Sequence, residues 1–124
     1  MEKEAMLYEK LPGGRVRCHV CQWRCVINPG KMGLCRMRLN RDGKLYTMNY
    51  GEVSSAAADH IEKKPLFHFF PGTLAFSLGT WGCNFHCKDC QNWEIACVDI
   101  PATSQQLSPE REIELTKKYN CAGI

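Results

Sequence analysis

Three cysteines within one short loop constrain this chain more than any other feature of its sequence. The residues GTWGCNFHCKDCQNW, from Gly79 to Trp93, place Cys83, Cys87 and Cys90 in a C-x3-C-x2-C spacing. Thiolates are preferred ligands of soft metals and of iron–sulfur clusters. A [4Fe–4S] cluster has four irons, so three thiolates leave one iron open to another ligand. The spacing therefore favours a cluster over a structural zinc site, which normally closes with four protein ligands.

A closed zinc knuckle is the alternative for this loop. Its fourth ligand would be His86 or Cys97, both of which are close in sequence to the three cysteines.

The cysteine content also indicates the compartment. The chain has 124 residues, of which nine are cysteines. The odd count and the tight clustering favour metal ligands over a secreted disulfide framework. The charged start, Met1 to Glu4, leads into no apolar core of a signal peptide, and no apolar stretch is long enough to cross a membrane. We therefore expect a cytoplasmic protein. The formal net charge of +3 is spread along the chain, and no nucleic-acid partner is expected.

A second group of cysteines lies nearer the N-terminus, in C-x2-C-x3-C-x9-C order. Turn residues between its third and fourth members can fold the loop back on itself. Four thiols in one short module suit a tetrahedral zinc site, with a second iron–sulfur cluster as the next possibility. Free thiols without metal, His19 as a substitute ligand, and thioredoxin-like chemistry at the first C-x2-C pair are the other interpretations. The group consists of Cys18, Cys21, Cys25 and Cys35.

The first part of the chain reads as a small β module. Residues Glu2 to Lys10 could form a short helix. The alternating stretches Arg36 to Leu39 and Leu45 to Tyr50 flank an Asn-Arg-Asp-Gly turn, which predicts a hairpin. Gly51 to Asp59 is small and polar and is predicted to link two modules. The expected division is residues 1–58, the cysteine-rich metal-binding module, and residues 59–124, the start of a larger core.

The second part reads as the start of a parallel α/β fold. Thr73 to Leu78 is apolar and flanked by glycines, which is typical of a buried parallel strand. The cysteine loop follows directly, at the carboxyl end where such folds place ligand-binding residues. Ser108-Pro109-Glu110 predicts a helix start, and the helix should run to about Tyr119. Cys121 to Ile124 resembles the beginning of a second buried strand.

Three segments together resemble a known family, the radical S-adenosylmethionine (SAM) enzyme of the AmmeMemoRadiSam system, which is related to pyruvate formate-lyase activating enzymes. The segments are CHVCQWRCVINPGKMGLCRMRLNRDGKLY, DHIEKKPLFHFFPGT and GTWGCNFHCKDCQNWEI. The second is specific to that family, whereas the triple-cysteine motif is shared by the whole radical SAM superfamily.

The resemblance implies a fold, cofactors and partners. The fold would be the N-terminal part of a partial (β/α) barrel of α/β class, preceded by the cysteine-rich β module. Cys83, Cys87 and Cys90 would bind a [4Fe–4S] cluster whose open iron binds SAM. Asp89 stands where the superfamily usually has an aromatic residue near the adenine of SAM. The enzyme would be an oxidoreductase that generates a 5′-deoxyadenosyl radical. Flavodoxin or ferredoxin would supply electrons, and a protein substrate and Memo-like or AMMECR-like proteins would be partners.

Length sets an expectation on activity. A barrel of this type needs roughly 200 residues or more. We therefore expect the chain to represent the N-terminal portion of a longer enzyme and to be inactive alone. The competing hypothesis is a non-catalytic zinc-binding module that acts in protein contacts.

Overall fold

The computed structural model describes residues 2–124 and contains three small β-sheets and two helices. The first sheet has the order β1-β6-β5, and the second has the order β2-β3-β4. Their strands are β1 (Lys3–Glu4), β2 (Tyr8–Lys10), β3 (Val16–Cys18), β4 (Val26–Ile27), β5 (Arg38–Arg41) and β6 (Lys44–Thr47). All pairs within these two sheets are antiparallel.

The third sheet has the order β8-β7-β9 and carries the second half of the chain. Its strands are β7 (Glu52–His60), β8 (Leu74–Thr80) and β9 (Gln105–Gln106), while the helices are α1 (Trp93–Ala96) and α2 (Pro109–Lys118). Single turns of 3₁₀ helix occur at Pro12–Gly14 and Ile61–Lys63.

The predicted hairpin is confirmed, with strand ends that differ from the prediction by one to three residues. β5 pairs with β6 from Arg38↔Thr47 to Arg41↔Lys44. Asp42 and Gly43, which connect them, have φ values of 52° and 80°. Positive φ at both central residues is the requirement of a type I′ turn, which asparagine, aspartate and glycine meet at least cost.

The predicted C-terminal helix is also confirmed. The Ser108 side chain caps α2 by accepting a hydrogen bond from the Arg111 backbone N–H at 3.3 Å, and Pro109 occupies the first helical position. Beyond the helix, Gly123 forms a parallel bridge with Ala75 of β8, and the Phe76 N–H donates to the Gly123 carbonyl at 2.8 Å. A single parallel bridge to β8 therefore lies where the sequence predicts the beginning of a second buried strand, but Ala122, Gly123 and Ile124 are exposed and form no strand.

Three predictions of local structure were wrong. Residues Glu2 to Lys10 form strands β1 and β2 instead of a helix, because Lys3 pairs with Thr47 and Tyr8 pairs with Cys18. Cross-strand pairing thus overrides a weak helical preference. The segment Gly51 to Asp59 is mostly strand β7 and not a linker. It pairs with β8 from Val53↔Thr80 to His60↔Leu74, and this pairing is antiparallel, so the strand that the sequence predicts at Thr73 to Leu78 is not part of a purely parallel sheet. Strand β7 also runs across the expected division at residue 58.

The N-terminal half is organised around a small apolar core and one buried amide. Val16, Cys18, Ile27 and Leu45 form the core. Asn40 is fully buried beside it. Its Nδ2 donates to the carbonyls of Gly14 and Ile27 at 2.9 and 2.8 Å, and its Oδ1 accepts from the Gly43 N–H at 2.9 Å. One side chain therefore satisfies three backbone groups that belong to three separate segments of the N-terminal half.

Replacing Asn40 with alanine should lower the free energy of unfolding by about 2–4 kcal/mol, because a buried group left without its hydrogen bond costs about 1–3 kcal/mol. Urea unfolding of the purified chain measures the change. The matched control is Asn28→Ala, at an exposed position, which should change stability by no more than about 0.5 kcal/mol. Equal effects of the two substitutions would contradict the structural role of the Asn40 amide.

Candidate metal centres

The predicted cluster cysteines lie on an irregular loop between β8 and α1. Cys83 and Cys90 are half-buried and Cys87 is exposed. The nine cysteines are free thiols, and within residues 2–124 no three His, Cys, Asp or Glu side chains are gathered as a group that could hold a metal ion. The three thiols are therefore close in sequence, but their sulfur atoms do not meet at a common point.

The donor set of the loop fits an iron–sulfur cluster in its chemistry. The three side chains are soft thiols, and the Phe85 backbone N–H already donates to Cys83 Sγ at 3.4 Å. Hydrogen bonds to the sulfurs are among the features that tune iron–sulfur centres. Cys83, Cys87 and Cys90 would hold such a cluster. Asp89, next to Cys90, is exposed, as are His86 and Cys97, the two residues considered as a fourth zinc ligand.

The base of the loop is held in place by hydrogen bonds. The Gly82 N–H donates to the Ile95 carbonyl at 2.8 Å, which ties the start of the loop to α1. Trp81 Nε1 donates to Ser104 Oγ at 2.9 Å. Cys83 therefore follows a fixed segment, whereas Cys87 lies at the exposed end of the loop.

The four N-terminal cysteines surround a common cavity of about 390 Å³. The Cys18 N–H donates to the Cys25 carbonyl at 3.0 Å, so a backbone hydrogen bond joins two of the four cysteines directly. The Arg24 N–H closes a turn onto the Cys21 carbonyl at 3.2 Å, with Arg24 at φ 45°. The predicted fold-back is present, because Cys18, Cys21, Cys25 and Cys35 all line the cavity. His19 does not line it; its ring contacts Arg24 and lies 3.8 Å from Glu9.

The electrostatics of Cys18 reflect this arrangement. Burial raises the pKa of the Cys18 thiol, and the nearby thiols of Cys21 and Cys35 raise it further, while Arg38 acts in the opposite direction.

The two predicted modules are in contact at this cavity. Residues Trp81, Gly82, Cys83 and Asn84 of the cluster loop line it together with the four N-terminal cysteines. Trp23 Nε1 donates to the Asn84 carbonyl at 2.7 Å, and Asn49 Nδ2 donates to the Trp81 carbonyl at 3.1 Å. Arg36, which follows Cys35, forms an ion pair with Asp99 at 2.7 Å.

Sequence reasoning missed several residues of this interface. The side chains of Trp23 and Asn49 donate hydrogen bonds to backbone carbonyls of the loop. Every residue has such a carbonyl, so the sequence of the loop does not indicate these contacts. Arg38 lines the cavity from β5, and only its place on an alternating strand could have indicated that it faces inward. Cys87 and Cys90 are not among the lining residues, so the structure brings Cys83 alone of the cluster cysteines to the N-terminal group.

Comparison with known proteins gives two relatives, both from Methanocaldococcus jannaschii. The uncharacterized protein MJ0808 is 49% identical over 125 residues, which cover 98% of this chain and 37% of MJ0808. The uncharacterized protein MJ0674 is 30% identical over 87 residues, covering 69% of this chain and 21% of MJ0674. The chain thus spans little more than a third of the length of MJ0808 and about a fifth of the length of MJ0674. No family model and no solved structure matches the chain.

The helices of residues 2–124 include none that is both long and apolar enough to cross a membrane.

Substitution of Gly82 should test the contact between the two modules. Gly82 has φ +88°, and a Cβ added there would lie 2.2 Å from Met37 Cγ. Gly72 has a similar φ of +77° but has nothing within 4 Å of an added Cβ, which makes it a matched control. Both alanine variants carry the backbone cost, whereas Gly82→Ala also overpacks Met37. We expect Gly82→Ala to lower the free energy of unfolding by about 1–3 kcal/mol more than Gly72→Ala in urea unfolding.

The same experiment in a Met37→Ala background identifies the cause. Removing the Met37 side chain beyond Cβ should eliminate most of the excess cost of Gly82→Ala, because the clashing atoms are gone. An excess that persists in that background would mean that the module contact is not what constrains Gly82.

Proposed function

We propose that this chain is the cluster-binding portion of a radical SAM enzyme that resembles glycyl-radical activating enzymes. The observation that carries the proposal is the position of Cys83, Cys87 and Cys90 on the loop that follows the carboxyl end of β8. In parallel α/β folds, ligand-binding groups lie at the carboxyl ends of strands. The parallel bridge between Ala75 and Gly123, reached through α2, supports the start of such a (β/α) unit.

The three thiols have distinct settings that suit this role. Cys83 lies next to the fixed residues Trp81 and Gly82, and its sulfur accepts a backbone N–H. Cys87 is exposed, so a group bound there can be reached from solvent. Cys83, Cys87 and Cys90 would hold a [4Fe–4S] cluster, which would supply the electron for reductive cleavage of SAM to a 5′-deoxyadenosyl radical used in hydrogen abstraction. The exposed carboxylate of Asp89 flanks Cys90 and is the residue we place nearest the adenine.

The remaining parts of the proposal follow from the resemblance of the sequence to this superfamily. The cofactors are the cluster and SAM, and the electron donor is a flavodoxin or ferredoxin. The protein acts in the cytoplasm, as an oxidoreductase on a protein substrate, with Memo-like or AMMECR-like proteins as partners.

A non-catalytic zinc module is the second candidate. It is favoured by one observation: the four N-terminal cysteines line a single cavity, whereas Cys83 is the one loop cysteine that lines it. The two candidates differ in the metal that the loop takes up.

Anaerobic reconstitution with iron and sulfide separates the candidates. We expect the chain to become brown, with a broad visible absorption that bleaches on reduction with dithionite, as thiolate-bound clusters do. Addition of SAM should change the electron paramagnetic resonance spectrum of the reduced sample, because SAM binds the open iron. Alanine at Cys83, Cys87 or Cys90 should abolish the absorption.

The control variants are Cys97→Ala and Cys121→Ala, which should keep the full absorption. A colourless chain that takes up zinc at Cys83, Cys87 and Cys90 would support the zinc module and refute the radical SAM proposal. Loss of the cluster in Cys97→Ala with retention in Cys90→Ala would refute the ligand assignment.

A further inference from the structure

The cavity between the two modules has the composition of a metal centre. Its wall brings together four thiols from three separate segments, namely the end of β3, the turn before β4 and the loop before β5. Apolar side chains complete much of the rest, including Val20, Ile27 and Met37. Four thiols that line one cavity form a donor set that suits a tetrahedral ion.

One buried nitrogen at this cavity, Nε of the half-buried Arg38, lacks a hydrogen-bond acceptor in the part of the chain that the structure describes. Arg38 lines the cavity, and its Nη1 donates to the Met37 carbonyl at 2.9 Å and to Asn49 Oδ1 at 3.2 Å. Its Nε is buried and has no hydrogen-bond partner within the described residues. A buried N–H without an acceptor is destabilising. A thiolate of a neighbouring cysteine would provide that acceptor.

The charge balance favours the same arrangement. Four thiolates around a divalent ion carry a net charge of −2, and a nearby guanidinium offsets part of it. Residues that hydrogen-bond the ligands of a metal orient them and tune the affinity. Arg38 is in a position to act in this way because β5 places it at the cavity wall.

We propose that Cys18, Cys21, Cys25 and Cys35 form a structural zinc centre, with Arg38 as a positioning residue that donates to a ligand sulfur. The thiols converge when the ion binds; rotation between staggered χ1 rotamers moves a sulfur by about 3 Å, and the cavity of about 390 Å³ leaves the space for it. Zinc is the expected ion because structural zinc sites are closed by four protein ligands. The centre does not depend on the radical chemistry, since Cys87 and Cys90 do not line the cavity.

The centre also braces the cluster loop. Trp23 lies in the turn between two of the proposed ligands, and its indole donates to the Asn84 carbonyl. Met37, two residues after Cys35, is buried against Gly82. Zinc therefore fixes the segments that contact the base of the loop on either side of Cys83.

Metal analysis of the purified chain tests the proposal. Inductively coupled plasma mass spectrometry should find one zinc per chain after expression in medium that contains both zinc and iron. Cys21→Ser and Cys35→Ser should lose it, while Cys97→Ser and Cys121→Ser should retain it. The triple variant Cys83→Ala, Cys87→Ala, Cys90→Ala should also retain one zinc, whether or not the loop binds a cluster.

Cobalt provides a measurement on the unsubstituted chain, which covers the case in which the serine variants do not fold. After removal of zinc with a chelator, titration with Co²⁺ should give the intense visible bands of a tetrahedral thiolate site, saturating at one ion per chain. An absent signal, iron in place of zinc in the triple variant, or loss of zinc from that variant would each overturn the proposal.

Arg38 has a matched control on its own strand. Arg41 is exposed, pairs with Glu2 and does not line the cavity. Competition with a chromophoric chelator should show Arg38→Met binding zinc about 10-fold more weakly than the unsubstituted chain, as is common for groups that hydrogen-bond metal ligands. Arg41→Met should leave the affinity unchanged. Equal affinities of the two variants would remove Arg38 from the centre.

Discussion

The close approach of Met37 to Gly82 determines how the two halves of this chain fit together. Met37 is almost fully buried, and the space that it fills is available only because residue 82 has no side chain. The positive φ at Gly82 then directs the chain away from β8 into the cysteine loop. The cavity, the hydrogen bond from Trp23 and the ion pair between Arg36 and Asp99 all lie around this contact. A larger residue at position 82 would separate the surfaces that these interactions join.

The parts of the fold that the sequence predicts are those with strong local rules. The Asn-Arg-Asp-Gly turn requires positive φ at its centre, and Ser108-Pro109 combines a cap with a preset helical φ, so both elements were predicted correctly. Strands β1, β2 and β7 follow no such rule. They exist because of partners that are distant in sequence, and a segment such as Ala56-Ala57-Ala58 gives no sign of its pairing with Phe76 to Leu78.

The same distinction applies to the candidate sites. Cysteine spacing is a local pattern, and it correctly grouped the four N-terminal thiols that line one cavity. The contact between that group and Cys83 depends on how two modules meet, which spacing does not encode. Arg38 illustrates the point, because its relevance comes from a buried nitrogen at the cavity wall and not from any motif.

Strand β7 has a consequence for the integrity of the polypeptide. It pairs with β8 over most of its length, yet the connection between them, around residues 64–72, is exposed and includes Lys64 and Phe67. A protease that cuts this connection would separate the sequence into two fragments while leaving the residues of the β7–β8 ladder intact. The two fragments would then be connected only by noncovalent contacts, among them the hydrogen bonds of the β7–β8 ladder.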